Sequence, residues 1–186
     1  MRSSPAMDYT STIKLLHWTT ALIWVPTWVV AFVAVHWRDA FNHEHQLTFL
    51  HKATASTILF LTLARMIARR RGGAPELPTE MSAFARRAAH VGHVAIYALA
   101  LVALPLSGWF WSSVAGKPIL VLGVVPLPPL VAPDKSLYDV AKWVHTYCAW
   151  AGGLLIAGHI AAALKHRFVD RDGIMRRMSF GARAGS

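Results

Sequence analysis

Four histidines, His17, His51, His145 and His159, sit inside otherwise apolar stretches of this sequence. Ionisable groups at such places are costly and therefore point to function, and imidazole is the least expensive of them to bury in neutral form. His145 and His159 are fourteen residues apart. At about 100° and 1.5 Å per residue, they return to within about 40° of one helix face and differ in height by about 21 Å. One helix thus offers two imidazoles at two depths. Two histidines facing each other across a bundle suit the axial positions of a low-spin heme, leaving the iron six-coordinate and fitted to electron transfer rather than oxygen binding. The single cysteine, Cys148, excludes an internal disulfide and any cysteine-rich zinc or iron–sulfur framework, so a metal centre must use histidine.

The elements that carry these residues must be membrane helices. Of 186 residues, 55% are hydrophobic and only 15% charged, with a mean hydropathy of +0.40, too apolar for an ordinary soluble domain. The net charge of +10 lies between the apolar runs rather than on a soluble face, so no nucleic-acid partner is expected. A helix crossing a hydrocarbon core of about 30 Å needs about 20 residues, and four runs qualify: Leu15–Val35, Leu47–Ala68, Val91–Trp111 and Val144–Leu164. None alternates as a barrel strand would. The first run is longer than a signal-peptide core and lacks a clear small-x-small cleavage site, so it is expected to be retained, with the mature chain starting near Met1.

Basic residues set the orientation. Arg69, Arg70, Arg71, Arg86 and Arg87 lie between the second and third runs, and Lys165, Arg167, Arg171, Arg176, Arg177 and Arg183 follow the fourth. The other connections hold only Arg38 and a dispersed Lys117, Lys135 and Lys142. The expected fold is an all-α, up-down four-helix transmembrane bundle forming a single domain over residues 1–186, both termini cytoplasmic. The outer loop, residues 112–142, holds an apolar stretch from Ile119 to Val131 broken by Pro126, Pro128 and Pro129, expected to cap the outer end at the membrane surface. Gly72, Gly73, Pro75 and Pro78 mark a plain inner connector.

With this topology the histidines pair by depth, His17 with His159 on the inner side and His51 with His145 on the outer side. Two hemes stacked across the bilayer would form a transmembrane electron path. His36, His43 and His45 fall at or beyond the outer end of the first span and His166 at the inner terminus, all expected to be solvated. His90 and His93, at the start of the third span, compete with His17 or His159 as inner ligands, although a surface or propionate-contacting role suits them better. Heme propionates need compensating cations. Arg65 is the candidate for the inner heme, and Lys142, three residues before His145, for compensating the outer heme or attracting an anionic substrate; ordinary snorkelling is the competing account of Lys52 and Arg65. Trp18, Trp37, Trp109, Trp111 and Trp143 read as interfacial belt residues, and Pro105 with Gly108 as a kink that makes room for a porphyrin.

The chain resembles the bacterial cytochrome b561 family over nearly its whole length. The resemblance is carried by LLHW (Leu15–Trp18), LHKATASTILFLTLARMIAR (Leu50–Arg69), HVGHVAIYALALVALPLSGW (His90–Trp109), GKP (Gly116–Pro118), KWVH (Lys142–His145) and GHIAAALKH (Gly158–His166). It implies a multi-pass inner-membrane cytochrome with two b-type hemes ligated by His17, His51, His145 and His159. It further implies electron exchange with quinone, and oxidation of superoxide or exchange with a redox partner protein on the periplasmic side. Two other functions compete: a cytochrome b subunit anchoring a dehydrogenase or reductase, and a histidine-lined metal-ion transporter. Metal-transport paths usually add carboxylates or thiolates, and none of the four runs contains Asp or Glu. A purely structural anchor leaves the matched histidines unexplained.

Overall fold

The computed structural model describes residues 8–73, 75 and 81–181; Met1, Pro78 and Arg183, used above, lie outside them. Helix α1 (Ser11–His36) begins where the Thr10 hydroxyl accepts the Ile13 amide at 3.4 Å. A short α2 (Arg38–Phe41) leads to Asn42, whose side-chain oxygen accepts the amides of Leu47 and Thr48 and whose nitrogen donates to the Ala34 carbonyl. Asn42 therefore satisfies orphan donors at the start of α3 (Gln46–Gly72) while tying it to the end of α1. Arg69, Arg70 and Arg71 fall in the last turn of α3, where cations complement the helix dipole.

The third span is α4 (Ala83–Ala95), a π-helical stretch (Ile96–Ala103) and α5 (Leu104–Val114). Pro105, in the first turn of α5, explains the irregularity, because it lacks an N–H and its ring clashes with the carbonyl four residues back. The Leu104 amide instead bonds the Leu99 carbonyl, one residue beyond the α register. This leaves Ala100 O, whose π-register donor would be Pro105, without a helical partner. The Trp24 indole supplies the donor at 3.0 Å from α1. The Thr62 hydroxyl of α3, which donates to Ile58 O, also lies 3.5 Å from Leu101 O, the carbonyl that Pro105 cannot serve in the α register. The core cluster, Trp24, Ile58, Ile96, Ala100 and Leu101, is centred on this repair. The expected kink at Pro105 thus takes the form of a register change.

After α5 the chain forms an antiparallel hairpin, β1 (Ile119–Val121) with β2 (Val125–Leu127). Leu122 and Gly123 both have positive φ, 53° and 78°, in the turn closed by Val124 N to Val121 O, the twist a tight hairpin prefers. The hairpin rests on α3, with Leu122 N donating to Ala53 O and Gly123 against Phe49. The loop expected over residues 112–142 is shorter at both ends, since α5 runs to Val114 and α6 (Tyr138–Lys165) starts at Tyr138, with Asp139 favourably placed in its first turn. A π turn (His166–Asp170) extends α6, and a 3-10 turn (Met175–Met178) folds back over α1, where Lys14 Nζ donates to Ser179 O and Trp18 Nε1 to Met178 O, each at 2.9 Å.

Among the described residues, four helical segments are long and apolar enough to cross a membrane: Ser11–His36, Gln46–Gly72, Ala83–Val114 and Tyr138–Asp170. Each outruns the apolar run that predicted it, because the hydrogen-bonded ladder continues past the hydrocarbon into polar flanks. Burial is inverted as lipid demands: Leu22 and Leu154 are 71% and 73% exposed, while Thr20, Thr27, Thr57 and Thr62 are buried. The bundle consists of two tightly packed pairs, α1 on α3 and α6 on the third span, with α6 standing off from both α1 and α3. Replacing Trp24 with Phe keeps the ring and removes the donor to Ala100 O. It should lower stability by about 1–2 kcal/mol, read as a lower unfolding temperature in detergent.

Candidate functional site

The gap between the two helix pairs is bridged at two heights by histidines. At the end bearing the hairpin, His51 of α3 faces His145 of α6, ring centres 6.3 Å apart and planes inclined by 65°. At the end bearing both termini, His17 of α1 faces His159 of α6 at 6.2 Å and 70°. His93 of α4 approaches His159 from another side, at 5.4 Å. The structure therefore brings together the residues paired by depth from the sequence, and adds a third imidazole at one end.

The surroundings of His51 and His145 fix which nitrogen faces inward. His51 Nδ1 lies 3.1 Å from the Thr27 carbonyl, which can only accept, so Nδ1 carries the proton and Nε2 keeps its lone pair. Ser107 donates its hydroxyl proton to Leu104 O, so its oxygen accepts from His145 Nδ1 at 3.1 Å, with the same result. A metal-binding histidine is usually oriented in this way. His93 Nδ1 is held by Ala89 O at 2.6 Å. His17 Nδ1, by contrast, is buried without a hydrogen-bond partner.

Two imidazole nitrogens each about 2 Å from one ion, with ring centres about 1 Å further back, put those centres about 6 Å apart. The His51–His145 and His17–His159 pairs have that separation. Facing imidazoles at that separation, each pair drawn from two helices, fit a heme iron that two histidines would hold.

Small residues make these positions available. A Cβ on Gly108 would lie 2.9 Å from His145 Cε1, so the ring seats in a notch that only glycine leaves open. Midway between the two layers, Gly152 and Gly153 of α6 lie under Trp24 and Trp28, and Trp28 Nε1 donates to Ala149 O at 2.9 Å. The two indoles fill the space between the histidine layers.

Arg65 lies over the Tyr97 ring at 5.3 Å, and its charge reaches His17, His93 and His159. Lys142 is exposed and lies 5.7 Å from the Trp143 ring centre, turned to the bundle surface beside its own helix. His36, His43 and His45 are exposed, as expected, and His90, a competing inner ligand in the sequence reading, is exposed as well. His166 departs from its expected solvated state, with Nδ1 2.5 Å from Asp172 and 3.3 Å from Asp170, which Lys165 also binds. Thr27, Ser107 and the Lys52–Ser112 contact were missed from sequence. The one signal near them was Pro105 with Gly108, which flank Ser107.

A helical membrane bundle with paired interior histidines defines a class of membrane cytochromes. Residues 8–181 match the family model described as prokaryotic cytochrome b561, and the chain belongs to that family. It is 31% identical over 164 residues to cytochrome b561 homolog 2 of Escherichia coli strain K12, covering 87% of this chain and 86% of the relative. Cytochrome b561 homolog 1 of the same organism is 28% identical over 174 residues, 91% and 96% of the two chains. A Yersinia pestis protein named probable superoxide oxidase CybB is 26% identical over 163 residues, 88% and 90%. The chain is accordingly a multi-pass bacterial membrane protein that binds b-type heme and serves electron transport as an oxidoreductase. Gly108→Ala should push the His145 ring aside and lower the heme content of purified protein, with Gly108→Val more severe; heme quantitation checks both.

Proposed function

We propose that this protein is a diheme b-type cytochrome of the bacterial inner membrane, passing electrons across it to or from quinone and oxidising superoxide at the periplasmic face. The observation that carries the diheme reading is the matched spacing of two separate imidazole pairs, 6.2 and 6.3 Å, on one pair of facing surfaces. His17 and His159 are the proposed iron ligands at the inner layer, and His51 and His145 at the outer. The His93–His159 separation of 5.4 Å is shorter than the about 6 Å that a shared iron sets, which favours His17. The arginines in the last turn of α3 and in α4, with the basic residues at and after the end of α6, support cytoplasmic termini, so the hairpin end faces outward.

When bound, b-type heme supplies a one-electron iron couple. The chain holds the outer imidazoles in one tautomer through Thr27 and Ser107. Arg65, with no carboxylate within salt-bridge distance among the described residues, offers a cation to inner-layer propionates. Exposed Lys142 draws a small anion towards the outer face. The Yersinia pestis relative's name supports superoxide as that anion.

A reduced-minus-oxidised spectrum with heme quantitation should show two low-spin b-type hemes per chain. His51→Ala and His145→Ala should each remove one and the same heme, leaving the other. His17→Ala should remove the second; retention of both hemes there, with one lost in His93→Ala, would reassign the inner pair to His93 and His159. Lys142→Glu should slow reduction by superoxide at low ionic strength with heme content unchanged, checked by stopped-flow absorbance.

A further inference from the structure

Lys52 and the GKP segment at Gly116–Pro118 take no part in the reading above, yet they meet beside the outer histidine pair. Lys52 follows His51 directly on α3, is half-buried, and donates to Ser112 Oγ at 2.7 Å. Ser112 is 4% exposed and passes its own proton to Lys117 O at 2.7 Å, while Lys117 N donates back to Ser112 O at 2.9 Å. The turn this requires uses Gly116 at φ 64°, packed against Pro133.

The side chains gathered here hold more donors than acceptors. An ammonium has three N–H bonds, and Lys52 uses one on Ser112; neither Lys52 nor Lys117 has a carboxylate within 4.0 Å among the described residues. The neighbouring Trp111 places its ring 5.7 Å from His145, and its indole N–H is buried without a partner. A cavity of about 250 Å³ opens alongside, lined by Trp109, Ser112, Lys117, Ile119 and prolines. A half-buried cation with no counter-charge is costly, and a second cation beside it adds repulsion, so the cluster is built to receive an anion.

We infer that Lys52 and Lys117 bind a carboxylate at the outer histidine layer, namely a propionate of the heme proposed between His51 and His145. The inference rests on the diheme reading. That group brings two carboxylates to the layer where these donors converge, whereas a free carboxylate would have to enter through the cavity. A paired cation stabilises the reduced, less positive state, so its removal lowers the reduction potential.

The test is potentiometric titration of detergent-purified holoprotein bearing Lys52→Met, Lys117→Met or Lys52→Arg. Expected is a downward shift of one of the two midpoints in each Met variant, the other unmoved, with Lys52→Arg close to wild type. Sodium acetate added to wild type should move neither midpoint. Lys117 is exposed, so its variant reports even where Lys52→Met disturbs folding. Two hemes with unmoved midpoints in both Met variants would overturn this inference alone. An acetate-dependent midpoint in wild type, lost in the Met variants, would also overturn it, making the lysines a free-anion site. Unchanged heme content in His51→Ala would overturn the diheme reading and this inference with it.

Discussion

Pro105 has no N–H to give, and the middle of the bundle is organised around that missing donor. In lipid a carbonyl deprived of its helical partner has no water to turn to, so the donor must come from a neighbouring helix. Trp24 provides it from α1, Thr62 adds a long contact from α3, and the apolar core condenses around both. The same four-helix level recurs in the numbering: Trp24 lies seven residues after His17, Ile58 seven after His51, and Gly152 seven from both His145 and His159. Seven residues are two helical turns, about 10.5 Å. The repaired backbone therefore sits as a dry partition between two polar layers.

The spans and the pairing of His51 with His145 and His17 with His159 were legible in the sequence because hydropathy and the helical repeat are local properties. Fourteen residues between His145 and His159 fix a shared face whatever else the chain does. What holds the rings is not local. Ser107 reaches His145 from 38 positions away and Thr27 reaches His51 from 24, and nothing in their types separates them from other small polar residues of the spans. The hairpin was hidden by three prolines in a stretch that reads as broken, although β2 tolerates Pro126 because a two-stranded ribbon consists of edge strands. Lys142 drew attention by proximity to His145 along the chain. In space it leans on Trp143, while Lys52, one residue from His51, points to Ser112.

Charge is distributed with few internal partners. Ten excess positive charges are carried by a chain whose described ion pairs lie near the ends of α1 and α6. Arg65 rests on an aromatic ring and Lys52 on a hydroxyl, both weaker company than a carboxylate. An apolar bundle that takes up an acidic cofactor requires cations left so, and membership of a heme-binding family accounts for such an acid.

Helix α6 supplies one histidine to each layer while packing chiefly on the third span, and its distance from α1 is held by Trp24 and Trp28 reaching across between the layers. Those indoles act as a gauge block in a two-leaf clamp: one thickness, set midway, defines the opening at both ends. The layers are therefore mechanically linked without touching. One spacer thus sets the helix separation at both histidine layers, so a change in the girth of either indole would alter both at once.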